Sequence, residues 1–404
     1  MSNIVIINQP LSNRGDQAAH RSLLRMLDKN YEHLQITVLF LNAKNEDIQD
    51  FSVESPKITY RNVTGFSRGL SFLQRWSLRL NIICMSLLHP LLRKYARYIK
   101  KADIVICAPG GICMGGFQDW NHIYNLSLAK YYNKKLVYYS RSFGSFPTAT
   151  RWNSIFMDIS YRLLHYFTFL SIRDKKTMEL ADKLNLQYIP SIDTAFLDTP
   201  VLELPANISC IINNEKFIIF VPNSLTWHVA YKDKKQEDID LFFIEIIKIL
   251  LAKNIKILML PQLNEYFSYH ESDYDYFQKL KILTESNDVV VLQNTYSSDI
   301  QQKIIEKADF VIGARYHSIV FAINNCTPFI SLSYEHKMNG LLELLNLNDR
   351  EIDISKIGEK SFDKKSALQK LEQLLDQNYP QAKEVKERAH KIAMETFNKF
   401  SIFL

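Results

Sequence analysis

The residues best equipped for chemistry lie in Ile312-Gly313-Ala314-Arg315-Tyr316-His317-Ser318, which ends one apolar run and opens a helical pattern. A guanidinium, an imidazole and the free N–H groups of a helix start fall within a few residues. Histidine exchanges a proton near neutral pH, so His317 is a candidate general acid or base beside an anion-binding arginine. Two more arginines follow apolar runs, Arg141 in Ser140-Arg141-Ser142-Phe143-Gly144 and Arg173 in Ser171-Ile172-Arg173-Asp174. Their planar forks suit a carboxylate or phosphate, which a lysine cannot grip in two places. Arg173 beside Asp174 equally suits an internal ion pair. Pro190-Ser191-Ile192-Asp193-Thr194-Ala195 brings a carboxylate to the same edge, and Lys337 follows in Tyr334-Glu335-His336-Lys337. Asn223, Trp227 and His228 after Pro222, and Gln262 after Pro261, are weaker candidates for that rim.

Glycine narrows the choice further. The chain has 11, where usage of about 7% would give roughly 28, so those present mark tight turns or close approach to a ligand. In Asn13-Arg14-Gly15-Asp16, Gly15 allows a turn, Asp16 is a suitable N-cap, and the helix start favours an anion; simple capping explains the segment equally well. Gly110-Gly111 and Gly115-Gly116 make a backbone-exposing loop fit to line a phosphate or sugar pocket. No Gly-Lys-Ser/Thr ending follows, and G-x-G-x-x-G is absent, so neither a nucleotide-hydrolysing loop nor a dinucleotide fingerprint is supported. No His/Cys/Asp cluster shows ligand spacing, and no metal is expected.

These residues need a scaffold that ends strands side by side. Apolar runs at 4–8, 36–42, 104–108, 136–140, 167–173 and 187–189 alternate with helical stretches near 16–29, 70–101, 119–132, 152–165 and 175–184. Continuous apolar strands separated by helices make a parallel sheet covered on both faces. After a polar, Pro-containing stretch from Thr199 the alternation restarts, with strands at 217–222, 255–260, 289–293, 310–312 and 329–333. The reading is two doubly wound α/β domains, 1–200 and 201–365, followed by a helical tail, 366–404, near their junction. Such sheets bind ligands beyond the carboxyl ends of their strands, so an interdomain cleft is the expected site.

Composition sets the outer limits. With 404 residues, 47% hydrophobic and 23% charged, the chain is globular, and +6 is too thin a charge to coat nucleic acid. Five scattered cysteines fit a reducing cytoplasm. The start, Met1-Ser2-Asn3-Ile4-Val5-Ile6-Ile7, reads as a first strand and not a signal peptide. The stretch 67–97 carries Arg68, Arg75, Arg79, Arg93, Lys94 and Arg97 around an apolar centre. Peripheral contact with an anionic membrane and a core helix with solvated basic flanks both account for it.

Taken in order, the motifs resemble the polysaccharide pyruvyl transferase family over roughly residues 10–345. The matching pieces are Asn13-Arg14-Gly15-Asp16, Pro109-Gly110-Gly111, Ser142-Phe143-Gly144, Ile172-Arg173-Asp174, Asp193-Thr194-Ala195-Phe196 and, best, Gly313-Ala314-Arg315-Tyr316-His317-Ser318. Tyr316 stands where the family often has Leu, and Thr194 where it often has Pro. The resemblance implies two Rossmann-like domains of glycosyltransferase-B type and transfer of the enolpyruvyl group of phosphoenolpyruvate, a co-substrate, to a sugar diol. The product would be a pyruvate ketal on a polysaccharide or its lipid-linked precursor. It places Arg173, Arg315 and His317 at the catalytic centre. Asn13, Gly15, Asp16, Gly110, Gly111, Arg141, Asp193, Tyr316 and Lys337 are the expected substrate-binding residues. No other cofactor, metal or nucleic acid enters this reading. A nucleotide-sugar glycosyltransferase and a catalytically silent family member are the alternatives. The location expected is cytoplasmic, with the inner face of a membrane as a peripheral site.

Overall fold

The computed structural model describes residues 2–11, 13–212, 215–228, 230–263, 272–293 and 296–404. The chain forms two compact units. One contains Met1–Leu11, Asp16–Leu197 and Lys391–Leu404; the other contains Ser12–Gly15 and Asp198–His390.

The first unit is built on seven parallel strands: β1 (Ser2–Ile7), β2 (Leu34–Leu41), β3 (Ile58–Val63), β4 (Ile104–Cys107), β5 (Lys135–Tyr138), β6 (Phe169–Ile172) and β7 (Ile189–Pro190). Their order is β3-β2-β1-β4-β5-β6-β7. The second unit has six, β8 (Phe217–Val221), β9 (Lys256–Met259), β10 (Val289–Val291), β11 (Phe310–Gly313), β12 (Phe329–Ser333) and β13 (Glu351–Asp353), in the order β10-β9-β8-β11-β12-β13. Every described pairing is parallel. Each sheet therefore reverses its winding once, between β1 and β4 and between β8 and β11. At such a point the two outgoing loops part and leave a crevice at the carboxyl ends. The central strands are buried throughout, as helices on both faces require.

Three expectations need correction. The helix expected over 70–101 is broken into Arg68–Arg79, Ile83–Ser86 and Pro90–Lys101. Asn81 takes a left-handed conformation (φ 55°) and Pro90 occupies a helix start, so continuous hydrogen bonding fails between them. Strands β3 and β13 went unseen because both are edges, one half-polar and the other three residues long. Asp16 is not the N-cap: the helix Arg14–Asn30 begins two residues earlier, leaving Asp16 in its first turn, while the Asn13 Oδ1 accepts the Gly15 N–H at 2.7 Å.

Candidate functional site

In the second unit the crevice between β8 and β11 is closed at its floor by backbone. The Ala314 N–H donates to the Val221 carbonyl at 2.7 Å, and Asn223 Nδ2 reaches the Ala314 carbonyl at 3.5 Å. Asn223 Oδ1 in turn accepts the Trp227 indole N–H at 3.1 Å. Arg315 leaves this floor at the end of β11 and forms an ion pair with Asp273, at the start of the helix Asp273–Thr284. The second oxygen of Asp273 accepts two backbone N–H groups, from Gln262 at 3.1 Å and Leu263 at 3.0 Å. The carboxylate is thus fixed by two backbone amides before it meets the guanidinium. Burial works against the charge on Arg315, but Asp273 first, with Tyr334 and Glu335 behind it, together raise the group above its ordinary range. Only one edge of the fork is spent: the buried Arg315 Nε has no hydrogen-bond partner among the described residues.

Two residues on, His317 lies in the first turn of the helix Tyr316–Asn324 and is 6% exposed. Its ring meets Tyr316 edge-on with centroids 5.0 Å apart. Gly15 packs so closely on the imidazole that a methyl in place of its hydrogen would overlap the ring. The segment bearing Gly15 is held there by backbone pairing, with Arg14 N–H donating to the Gln262 carbonyl at 2.9 Å and Asn13 bridging Leu263. Gly313 is required for a similar reason, since a side chain would run into Ser318, whose hydroxyl donates to the Arg315 carbonyl at 2.6 Å. Lys337 pairs with Glu335 at 2.7 Å and lies 6.0 Å from the Tyr316 ring. Burial alone would raise the Glu335 carboxyl, yet Lys337 pulls it below the usual carboxylate range. Asn13, Gly15, Arg315, Tyr316, His317 and Lys337 therefore join one linked set of contacts.

The first unit places its candidates in two groups. Arg173, just past β6, forms a buried ion pair with Asp193 (6% and 0% side-chain exposure), whose other oxygen accepts the Ala195 N–H at 2.9 Å. Asp174 caps the helix Lys175–Lys183 through the Thr177 N–H at 2.9 Å, so the adjacent acid serves the backbone. The other group surrounds Gly110, whose absent side chain would lie 3.3 Å from both Arg141 Nη1 and Asp16 Oδ1. Arg141 is wholly buried; it donates to the Ala108 carbonyl and, at 3.0 Å, to Cys113 Sγ. The glycine loop expected to be open is partly zipped: Gly110 bridges Arg141, Gly115 bridges Gly144, and the Gly144 N–H donates to the Met114 carbonyl at 2.7 Å. Gly111 has open space where a Cβ would stand.

The fold also gathers a cluster that sequence spacing did not reveal. Ligand atoms of Cys113, Asp119 and His122 lie within 4.8 Å of one another. Asp119 is already the cap of the helix Trp120–Tyr131, and His122 Nε2 sits 3.6 Å from Cys107 Sγ. Burial first, and then the Arg141 charge, drive the His122 imidazole well below its ordinary value, and the same guanidinium opposes a cation. Asp273 is the residue of consequence that the motifs missed. It stands in Ser272-Asp273-Tyr274-Asp275, a polar run marked by nothing except a helix start.

Comparisons with known proteins agree with this architecture. The Amylovoran biosynthesis protein AmsJ of Erwinia amylovora is 23% identical over 399 residues, covering 90% of each chain. UDP-GlcNAc 2-epimerase from Neisseria meningitidis superposes with a TM-score of 0.58 at 10% identity, over 99% of this chain and 100% of that one. A ugt transferase from Siraitia grosvenorii gives 0.58 at 11% identity, over 99% of each. These two share the fold, a pair of Rossmann-like α/β domains of glycosyltransferase-B type. The Polysaccharide pyruvyl transferase family model matches residues 13–336, from the Asn13 turn through Arg315 and His317 to the helix start beyond β12, and the chain belongs to that family.

Proposed function

We propose that this protein transfers the enolpyruvyl carbons of phosphoenolpyruvate to two hydroxyls of a sugar, forming a pyruvate ketal and releasing phosphate. The observation that carries the reading is the β11 terminus. There a fixed carboxylate holds Arg315, whose Nε has no partner among the described residues, and His317 follows within one turn. Phosphoenolpyruvate bears a carboxylate and a phosphate, and an arginine fork suits either; Arg315 is the candidate to meet this donor. His317 is suited to proton transfer. Protonation of the methylene carbon makes a methyl group and an oxocarbenium-like C2; one hydroxyl adds there, phosphate leaves, and the second hydroxyl closes the ketal. Of the two hydroxyl protons, one replaces that given to carbon and the other leaves on phosphate. Asn13, Gly15, Tyr316 and Lys337 are assigned to the donor, and Asp16, Gly110, Gly111 and Asp193 to the sugar. Family membership and the AmsJ relationship support a polysaccharide or its lipid-linked precursor as acceptor. A soluble enzyme working from the cytoplasm at the membrane's inner face would meet such a precursor.

The glycosyltransferase-B neighbours favour one other reading, a nucleotide-sugar transferase with Arg315 on the diphosphate and Asp16 or Asp193 as base. Thermal shift separates the two, since a ligand bound by the native state raises its melting temperature. Phosphoenolpyruvate is expected to stabilise the protein and UDP-sugars are not. Mass spectrometry of a glycan incubated with enzyme and phosphoenolpyruvate should find an added pyruvate ketal. A shift with UDP-sugar alone, or sugar transfer in place of a ketal, would overturn the proposal.

A further inference from the structure

The charge of this chain is distributed very unevenly. Residues 55–102 contain ten Lys and Arg and no Asp or Glu, more than the whole chain's excess of +6, so the remainder is net negative. The same segment exposes its apolar side chains. Phe72, Leu80, Ile82, Met85 and Leu88 are each 39–64% exposed, and the last four crowd the short connection between the helices Arg68–Arg79 and Pro90–Lys101. Buried apolar surface is the ordinary state of such residues, and a clustered exposed patch marks something that covers it.

The connection is braced, not loose. Arg93 donates from Nε to the Leu87 carbonyl at 3.0 Å and from Nη2 to the Leu88 carbonyl at 2.9 Å, tying the apolar tip to the first turn of the following helix. At its other end Arg79 stacks on Trp76 (4.5 Å), and Arg75 lies over Trp152 (4.0 Å) and Trp120 (4.7 Å). The Pro90–Lys101 helix buries Leu92, Tyr95, Ala96 and Ile99 and turns Arg93, Lys94, Arg97, Lys100 and Lys101 outward. A rigid apolar tip thus continues directly into a wholly basic helix face.

We infer that this tip and basic face dock the protein on an anionic lipid bilayer, with the apolar side chains entering the headgroup boundary and the cations meeting the charged headgroups. Apolar insertion combined with Lys/Arg attraction is what interfacial membrane binding requires, and no helix of the described residues is long and apolar enough to span. A second copy of the chain is a poor occupant, because a two-fold contact would press like charges together. A soluble polyanion would leave the apolar tip in water.

The test is sedimentation of the full-length protein with vesicles. It should pellet with equimolar phosphatidylcholine and phosphatidylglycerol, remain in solution with phosphatidylcholine alone, and be released as sodium chloride is raised. Each removed cation should weaken partitioning about fivefold, so the triple variant Lys94→Ala/Arg97→Ala/Lys100→Ala should lose about a hundredfold. Leu80→Ser/Met85→Ser/Leu88→Ser should also lose binding, and its circular dichroism should match the parent because these side chains are exposed. The inference fails if the parent does not pellet with anionic vesicles, or if either triple variant binds as well as the parent. It also fails if the tip variant's only effect is to dissolve a dimer seen by light scattering.

Discussion

Arg141 and Arg315 each follow a parallel strand, and each buries its guanidinium, but the two ends of sheet hold them in opposite ways. Arg141 has no exposed surface and directs its two Nη groups at interior acceptors, the Ala108 carbonyl and the Cys113 thiol. Burial opposes its charge, and the surrounding thiols, Tyr138 and Asp16 more than compensate. Arg315 instead leans on one carboxylate that is itself pinned by two backbone amides, while the buried Nε of both guanidiniums has no partner among the described residues. A guanidinium spent on carbonyl and sulfur braces the loops around it. One aligned by a single fixed acid is the better candidate to meet an anion.

The largest effect that can break this contrast is on turnover. Arg315→Ala should lower kcat/KM for ketal formation by about a thousandfold, and Arg315→Lys by about a hundredfold, because a point charge cannot replace a two-donor fork. Arg141→Met should act elsewhere. With the Ala108 carbonyl and Cys113 left unsatisfied, it should cost about 2–4 kcal/mol in urea denaturation while the KM for phosphoenolpyruvate stays put. Phosphate release measured beside unfolding curves decides the matter. If the two variants exchange phenotypes, the assignment of bracing and binding roles is reversed.

A smaller effect sharpens the second end. Gly15→Ala places a methyl where the His317 ring lies, so the ring must move or the segment carrying Gly15 must. Displacement of a reacting group by about 1 Å costs on the order of a hundredfold in rate, and that loss in kcat is expected with KM little altered. Turnover equal to the parent would show that the position of His317 is immaterial to the reaction.

The sequence disclosed the sheets well, because buried parallel strands are short apolar runs that can hardly be read otherwise; Phe217–Val221 is one. Edges were harder. In β3, Ile58-Thr59-Tyr60-Arg61-Asn62-Val63 alternates like a surface, and only pairing with β2 makes it a strand. Arg315 and His317 were legible from their place after an apolar run. Asp273 was not, since its partner lies 42 positions away and the pair exists only once β9 and β11 share a sheet. Cys113, Asp119 and His122 are close in sequence, but a turn into the Trp120–Tyr131 helix brings their ligand atoms together, and spacing rules did not foresee it.

The smallest effect concerns a group that neither end uses. His20, in the Arg14–Asn30 helix of the first unit, is completely buried against Phe51, and both ring nitrogens lack partners among the described residues. Burial, helped by the Arg21 charge, lowers its pKa from 6.5 to about 3. The unfolded chain then takes up a proton near pH 6.5 that the folded chain refuses until about pH 3. Below 6.5 the unfolded state binds more protons, so stability must fall as pH falls, by about 1.4 kcal/mol per pH unit from this residue. His20→Leu removes that term, and its stability relative to the parent should be constant above pH 7.5 and rise steadily from pH 6.5 downward. Urea midpoints for the two proteins at pH 7.5 and 5.5 measure the difference. A gap that does not change with pH would mean that the native interior admits the proton, and that the first unit is looser around its charges than the bracing of Arg141 implies.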